Sequence, residues 1–297
     1  MGNLDHSLKT PPAAGGLRAW VTSVTPEPML RVARYLMQAR SLNQVKSRRF
    51  DVTNLSPTLE LSNIFRLSPS GWQRDHDAIT ALYGHADLYG GVNPGDRRAL
   101  YYLIRSLHPS RVLEIGTHVG SSAVYMAMAL KANGKGKLTT VDLKDVNTPT
   151  GPWASAGLPA PPNELMARLS CSPFVDFVAN DGRAYMAARG HTFDLVFLDG
   201  SHSAKDVYEE VAVALDSLAP SGCIVLHDYY PACRSLFPND HVIVGPWLAM
   251  RRISQEQPHL VVEPLGELPW PTKLGRRSTS LAMVRRRKRL AGLPDES

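Results

Sequence analysis

The sequence predicts an α/β protein in which a seven-stranded, mostly parallel sheet carries helices on both faces and follows an N-terminal helical extension. Two observations lead to this prediction. From residue 95 onward, short apolar runs alternate with segments of helical periodicity, as in successive βαβ units. The stretch 111–115 is rich in apolar residues without strict alternation, which is typical of a strand buried on both faces of a parallel sheet.

Local signals set the elements in chain order. Thr25-Pro26-Glu27 starts a helix, because Thr caps the first turn, Pro fits it, and Glu lies near the positive end of the helix dipole. Helices at 75–83 and 96–107 follow, the second ended by His108-Pro109. Strands are predicted at 111–115, 137–141, 174–178, 193–198, 223–226, 260–263 and 279–284. Further helices are predicted at 121–131, from 181 onward, at 204–218 and at 246–253.

Charge divides the chain into three parts. Residues 1–50 carry eight basic and two acidic residues, and so do residues 273–297, whereas the middle is acidic, for a net charge of +6. An acidic middle disfavours a nucleic-acid partner, which requires a basic cleft. We assign residues 1–90 to a partly helical extension that caps the cleft or forms a homo-oligomer contact. Residues 91–284 form the α/β domain, and 285–297 a basic tail.

Composition also bears on the cellular compartment. No apolar run approaches the roughly 18 residues that a membrane span needs. The N-terminus has no basic-then-apolar signal pattern. The three cysteines show no metal-ligand spacing, which favours a reducing compartment. We therefore expect a cytoplasmic protein without a membrane span.

The segment VLEIGTHVGSSAVYMAMAL, at 112–130, has the form of a cofactor loop between a strand and a helix. Gly116 and Gly120 allow a ligand to approach the backbone, and the helix N-terminus that follows offers free N–H groups to an anion. The spacing G-x-x-x-G is not the dinucleotide fingerprint. Glu114 would repel a pyrophosphate and attract an ammonium group, so the loop suits an amino acid moiety.

Acidic residues stand at or beside the ends of five successive strands. Ligands of open α/β sheets bind beyond the carboxyl ends of the strands, so these acids are expected to meet in one site. Asp142, at the end of the second strand, is placed to accept hydrogen bonds from two ribose hydroxyls. A nucleoside joined to an amino acid is thus predicted, namely S-adenosylmethionine. In chain order the acids are Glu114, Asp142, Asp181, Asp199 and Asp228.

Residues 91–230 resemble the class I S-adenosylmethionine-dependent methyltransferases, in particular the small-molecule O-methyltransferases related to catechol O-methyltransferase. The resemblance lies in the segments EIGTHVGSSAV, GGVNPGDRRALYYLI, TVDLK, FDLVFLDGSHS and IVLHDYY. It implies a Rossmann-like fold and S-adenosylmethionine as the cofactor. It also implies methyl transfer to a hydroxyl of a small molecule, such as a phenolic compound or a sugar-bearing natural product.

The same resemblance implies which residues contact the cofactor. Ser122 would bind the carboxylate of the methionine part, and Glu114 would lie near its amino group. Val92 would touch the cofactor through backbone atoms. From the methionine end to the adenine, the other implied contacts are Gly116, Gly120, Asp142, Asp181, Gly182 and Arg183.

In the metal-dependent members of that family, acids after the fourth and fifth strands bind a divalent cation, usually magnesium. Asp199 and Asp228 match these ligands, but Tyr229 stands where the family has Asn or Asp. Two carboxylates make a weak site for a hard cation unless substrate oxygens complete it. Alternatively His202 or His227 joins them, which would favour manganese, iron or zinc.

His202 is the predicted catalytic base. It lies three residues after Asp199, where catechol-type enzymes carry a lysine, and an imidazole titrates in the range suited to a hydroxyl acceptor. Asp199 is predicted to act beside it. The proline-rich loop 147–163, which contains Trp153, is predicted as a stiff connector or as a wall of the acceptor pocket.

Two other functions stay open. A nicotinamide-dependent oxidoreductase would need a third loop glycine and a Tyr-x-x-x-Lys pair, and neither stands in the expected place. A non-catalytic binding protein on a Rossmann-like fold would depend on the basic arms rather than on Asp199, His202 and Asp228. Binding of S-adenosylmethionine against NAD separates the first alternative from the predicted function.

Overall fold

The computed structural model describes residues 27–48, 50–56, 64–66, 69–84, 91–188, 190 and 192–287. The predicted helix start at Thr25-Pro26 and the tail beyond residue 287 lie outside the described residues. The helices are α1 Glu27–Asn43, α2 Trp72–Tyr83, α3 Pro94–Leu107, α4 Ala123–Asn133, α5 Pro152–Ser155, α6 Pro162–Arg168, α7 Gly182–Ala187, α8 Ala204–Asp216 and α9 Gly245–Glu256. The strands are β1 Arg111–Ile115, β2 Lys137–Asp142, β3 Val175–Ala179, β4 Phe193–Leu198, β5 Leu218–Leu226, β6 Leu260–Pro264 and β7 Ala282–Arg286.

The seven strands form one sheet in the order β3-β2-β1-β4-β5-β7-β6. Strands β1 to β5 pair in parallel, and β7 runs antiparallel to both of its neighbours. The chain order reverses between β1 and β4, where Ile115 lies opposite Val141 on one side and Leu198 on the other. This is a Rossmann-like arrangement, and the predicted fold class is confirmed.

Successive residues of the central strands pack into two different cores. Val112 lies in the core that contains helices α3 and α4, whereas Leu113 lies in the core that contains α8 and α9. Both side chains are fully buried. Helices therefore cover both faces of the sheet, as the apolar character of β1 predicts.

Helix α1 packs against α8 and α9. Its Leu42 is 4% exposed, and burial of such a side chain stabilises the fold by about 1.5–3 kcal/mol. Arg252 of α9 donates hydrogen bonds to the carbonyls of Leu42 and Val45, at 2.5 and 2.8 Å, which satisfies backbone groups at the end of α1. None of the described helices combines the length and the apolar character needed to cross a membrane.

Two strands differ from their predicted bounds by more than one residue. β5 begins at Leu218 rather than at Cys223, because Leu218 pairs with Phe193 beyond a shift in register between β4 and β5. β7 ends at Arg286, so that Arg285 and Arg286, which the sequence placed in the tail, pair with β6. Strand pairing thus carries the sheet two residues into the predicted tail.

Candidate active site

The carboxyl ends of the five parallel strands meet at one edge of the sheet, and two cavities open there. Cavity A, about 370 Å³, lies over β1, β2 and β3, and cavity B, about 430 Å³, lies over β1, β4 and β5. Both cavities are walled by Gly116, Asp142, Gly200 and His202, so they form one continuous cleft. The cleft spans the point where the strand order reverses, which is the expected ligand position. The predicted site residues that line it are Gly116, Asp142, Asp181, Gly182, Arg183, Asp199, His202 and Asp228.

The glycine loop leaves no room for side chains. Gly116 has φ +102°, and a Cβ there would overlap the backbone carbonyl of Asp199. Gly120 has φ +74°, and its Cβ would lie 2.9 Å from the Cβ of Pro162. Gly116 therefore faces the cleft through its backbone, while Gly120 packs the loop against the start of α6.

Asp142 ends β2 with its carboxylate at the cleft. The backbone N–H of His118 donates to Asp142 Oδ2 at 2.9 Å, with His118 itself in the left-handed region at φ +48°. One carboxylate oxygen is thus engaged by the loop after β1. This contact ties the end of β2 to the glycine loop.

Asp181 caps helix α7 and holds Arg183. Its Oδ1 accepts the backbone N–H of Ala184 at 2.9 Å, and this hydrogen bond lowers the pKa of the carboxyl. Arg183 forms ion pairs with Asp181 and Asp206, each at 3.6 Å, and with Glu209. The guanidinium is therefore held beside cavity A by three carboxylates.

Glu114 and Ser122 differ from their predicted roles. Glu114 is fully buried and accepts hydrogen bonds from Ser122 and from Thr140, the latter at 2.6 Å. Burial raises the pKa of Glu114 to about 8, against the two hydrogen bonds, which lower it. Neither side chain lines cavity A or B. The structure thus places them beneath the glycine loop, which they brace, because a buried carboxyl requires hydrogen-bond partners.

Glu210 is a site residue that the sequence analysis did not identify. It is 8% exposed and lines cavity A, although a charged side chain on a helix usually faces solvent. Burial, followed by the charge of Asp206, raises the pKa of Glu210 to about 8. The apolar stripe of α8 faces the sheet core, but its N-terminal half also borders the cleft. That tertiary position is not visible in the helical pattern.

His227 lies buried between carboxylates at the end of β5. Its Nδ1 is 2.8 Å from Asp199 Oδ1, and its Nε2 lies 3.5 Å from Asp96 Oδ2. Burial opposes a charge on this ring, but Asp228 and Asp199 more than offset it and raise the pKa of His227 well above its usual value. The ring therefore fixes the orientation of the Asp199 carboxylate.

His202 meets Asp228 across the mouth of the cleft. The His202 Nε2 lies 3.0 Å from Asp228 Oδ2, and the imidazole is 54% exposed. The hydrogen bond to Asp228 raises the pKa of His202, although desolvation acts in the opposite direction. Asp228 has φ +54°, a conformation that costs energy in most residues and is tolerated best by Asn and Asp. Asp199, His202 and Asp228 can each offer a ligand atom within 4.8 Å of the others.

Three further residues lie away from the cleft. The Val92 side chain is in the core, while its neighbours Gly91 and Asn93 line cavity B. Tyr229 is 9% exposed, packs in the core that contains α8 and α9, and does not line cavity A or B. Trp153 donates its indole N–H to the Thr148 carbonyl within its own loop and packs on the core, so it does not wall cavity A or B.

The chain was compared with known protein families and solved structures. Residues 113–229 match the protein family described as Methyltransferase domain. The matched span begins within β1 and ends just after β5. The fold is similar to that of the O-methyltransferase TomG of Streptomyces achromogenes, solved with S-adenosylmethionine. The two sequences are 17% identical and the TM-score is 0.47; the match covers 89% of this chain and 100% of that one. It is also similar to that of an O-methyltransferase of Bacillus cereus, solved with S-adenosylhomocysteine. Here the identity is 16% and the TM-score is 0.48; the match covers 76% of this chain and 95% of that one. A search of curated proteins gave no match. The family match confirms the prediction of a methyltransferase domain.

Proposed function

We propose that the chain, whose residues 113–229 form a methyltransferase domain, transfers a methyl group from S-adenosylmethionine to a hydroxyl of a small molecule. The observation that carries this proposal is the pair of His202 and Asp228, 3.0 Å apart in the wall of cavity B, which Gly116 also lines. A histidine supported by a carboxylate beside a cofactor loop suits the removal of a hydroxyl proton.

The residues of cavity A fit the nucleoside part of the cofactor. Asp142 has one oxygen bonded to the His118 N–H, which leaves the second for a ribose hydroxyl. Gly182 gives a flat wall, because a Cβ there would lie 2.7 Å from the Ile115 side chain. Asp181 and Glu210 supply acidic groups for the adenine amino group. When bound, S-adenosylmethionine supplies an electrophilic methyl group on a positively charged sulfur.

The amino acid part of the cofactor is assigned to the glycine loop. Gly116 presents backbone to both cavities, and the N-terminus of α4 follows the loop. Glu114 and Ser122 act in this assignment by holding the loop from below rather than by touching the ligand. The carboxylate of the ligand would then be bound by backbone N–H groups.

His202 is assigned as the general base. Its Nδ1 takes the proton of the acceptor hydroxyl as the oxygen attacks, while its Nε2–H donates to Asp228, which stabilises the imidazolium that results. Asp199, held by His227, keeps a second carboxylate at the reacting oxygen. The main contribution of these residues is to hold the acceptor in line with the donor.

The same residues fit a divalent cation. With His202 as a third ligand beside Asp199 and Asp228, the set would favour manganese, iron or zinc, whereas the two carboxylates alone suit magnesium. A cation held there would lower the pKa of the acceptor hydroxyl and orient it. His202 cannot serve as ligand and base through one nitrogen at once. In the proposed arrangement the two carboxylates hold the cation and His202 stays free to accept the proton.

The experiment that tests the proposal combines binding with methyl transfer. Thermal shift with S-adenosylhomocysteine, S-adenosylmethionine and NAD is expected to show stabilisation by the first two alone. Transfer of a labelled methyl group is then measured to hydroxylated compounds and to matched amines. Stabilisation by NAD, or transfer to amines in preference to hydroxyls, would contradict the proposal.

A further inference from the structure

We infer that a third cavity, between α1 and the segment 239–244, binds the acceptor and selects hydroxylated molecules of more than one ring. This cavity C has a volume of about 740 Å³. The inference rests on the proposed function, since it takes His202 as the point of reaction. It assigns to the N-terminal extension a part in substrate choice.

Cavity C begins where the reaction would take place. His202, His241 and Ile243 line both cavity B and cavity C. Cavity B continues in the other direction into cavity A through Gly116 and Asp142, the side assigned to the methyl donor. An acceptor whose hydroxyl lies at His202 therefore has cavity C as the space into which the rest of the molecule extends.

The walls of cavity C are tied to the site by hydrogen bonds. Gln38 of α1 accepts the backbone N–H of Ala204, two residues after His202, at 2.7 Å. Arg31 of α1 donates to the carbonyl of Asp240 at 2.8 Å, which joins the helix to the opposite wall. Gly245 lies so close to the backbone carbonyl of His202 that a Cβ would overlap it. Helix α1, the segment 239–244 and the His202 loop thus form one connected wall.

The surface of cavity C suits an extended ring system. Met37 is 62% exposed and presents a flexible apolar side chain, and Ile243 adds a second apolar contact on the opposite wall. Polar and charged groups in its lining come from Arg34, Gln38, Asn239, Asp240 and His241. Pockets of about 300–1,000 Å³ with apolar walls and a few polar groups bind drug-sized ligands, and cavity C falls within that range. A single ring held at His202 would leave most of cavity C unfilled.

The test fills cavity C and leaves the rest of the site intact. Met37→Trp adds volume inside the cavity, whereas Leu36→Trp is a matched control on the neighbouring position, 61% exposed and outside the cavity wall. Calorimetry on protein saturated with S-adenosylhomocysteine measures the binding of multi-ring probes (a flavonoid, an anthraquinone and a macrolide) and of single-ring probes (catechol and hydroxybenzoate).

The wild-type protein is expected to bind at least one multi-ring probe about tenfold more tightly than every single-ring probe. Met37→Trp is expected to weaken that binding by about tenfold or more, and Leu36→Trp by less than about twofold. Tighter binding of single rings, or equal effects of the two tryptophans, overturns the inference. Failure of S-adenosylhomocysteine to bind at all instead contradicts the proposed function, so the two failures are distinguishable.

Discussion

His202 Nε2 and Asp228 Oδ2 lie 3.0 Å apart, although the two residues come from the ends of different strands. The pair exists because β4 and β5 are parallel neighbours and Asp228 adopts φ +54°. It makes the pH dependence of methyl transfer testable. Because the Asp228 hydrogen bond raises the pKa of His202, the base is protonated and inactive up to a higher pH than usual.

Replacement of Asp228 by Asn is therefore expected to move the acidic limb of the kcat profile to lower pH. The sign follows from charge: loss of the carboxylate destabilises the imidazolium, so His202 releases its proton at lower pH. Initial rates across pH, measured with a chelator present, check this shift. His202→Ala is the companion variant, expected to lower kcat by about 10²–10⁴-fold with unchanged S-adenosylhomocysteine binding. An unshifted limb in Asp228→Asn would argue against the pair.

Gly116→Ala is expected to abolish cofactor binding. A Cβ at this position meets the carbonyl of Asp199, and φ +102° strains any L side chain, so the loop must move away from the cleft. Gly134→Ala is the matched control, with φ +68° but nothing within 4 Å of the added Cβ. Calorimetry with S-adenosylhomocysteine should show at least about a hundredfold loss for the first variant and near wild-type binding for the second. Equal losses of binding in the two variants would contradict a role of Gly116 in cofactor binding.

Metal affinity is expected to depend on His227. Its Nδ1 fixes Asp199 at 2.8 Å, so His227→Leu should weaken Mn²⁺ binding by about 10–100-fold, the usual effect of losing such a supporting hydrogen bond. His227→Asn retains a donor and should restore most of the affinity. Electron paramagnetic resonance of free Mn²⁺ measures both.

Cys223→Ala serves as the stability control for the His227 variants. It creates a defect in β5, the strand that precedes His227, where Cys223 is 2% exposed, and should lower Tm without changing Mn²⁺ affinity. If the loss of Mn²⁺ affinity instead followed Tm in all three variants, His227 would have a purely structural role.

Glu210 is expected to make the fold less stable at alkaline pH. Its pKa of about 8 in the folded chain exceeds the ordinary value of 4.5, so the folded state holds the proton more tightly than the unfolded state. The stabilisation is complete below pH 4.5 and is lost as pH rises through about 8. Glu210→Gln should thus flatten the fall of Tm with pH, whereas Glu209→Gln, one position earlier, should keep the wild-type slope. A wild-type slope in Glu210→Gln would contradict this account.

The sequence predicted the parts of the site that depend on strand ends. β1 and β4 have the predicted bounds, and Asp142, Asp199 and Asp228 line the cleft because parallel strands end at a common edge. Glu114 was placed at the ligand because its charge lies beside the first glycine of the loop, and Ser122 because of the resemblance to the methyltransferase family. Which way a side chain turns around such a loop depends on the partners it finds, here Thr140 on the neighbouring strand.

The walls of the cleft could not be predicted from the sequence, because they are formed by contacts between distant parts of the chain. The loop that contains Trp153 was predicted as a stiff connector or as a pocket wall, and its indole N–H is satisfied within the loop. Met37 and Gln38, over 160 positions from His202 in the chain, lie beside it instead. No periodicity in α1 indicates that neighbour, since the Gln38–Ala204 hydrogen bond arises only when α1 packs on α8.

The contact between Gly116 and the carbonyl of Asp199 has a consequence for how donor and acceptor come together. The glycine loop proposed to hold the donor follows β1 and Asp199 follows β4, and these strands are hydrogen-bonded neighbours, roughly 4.8 Å apart. The separation between donor and acceptor is therefore set by the pairing of two backbone strands. In the proposed function a displacement of one site relative to the other would require the β1–β4 hydrogen bonds to break, so the sheet itself holds the reactive distance.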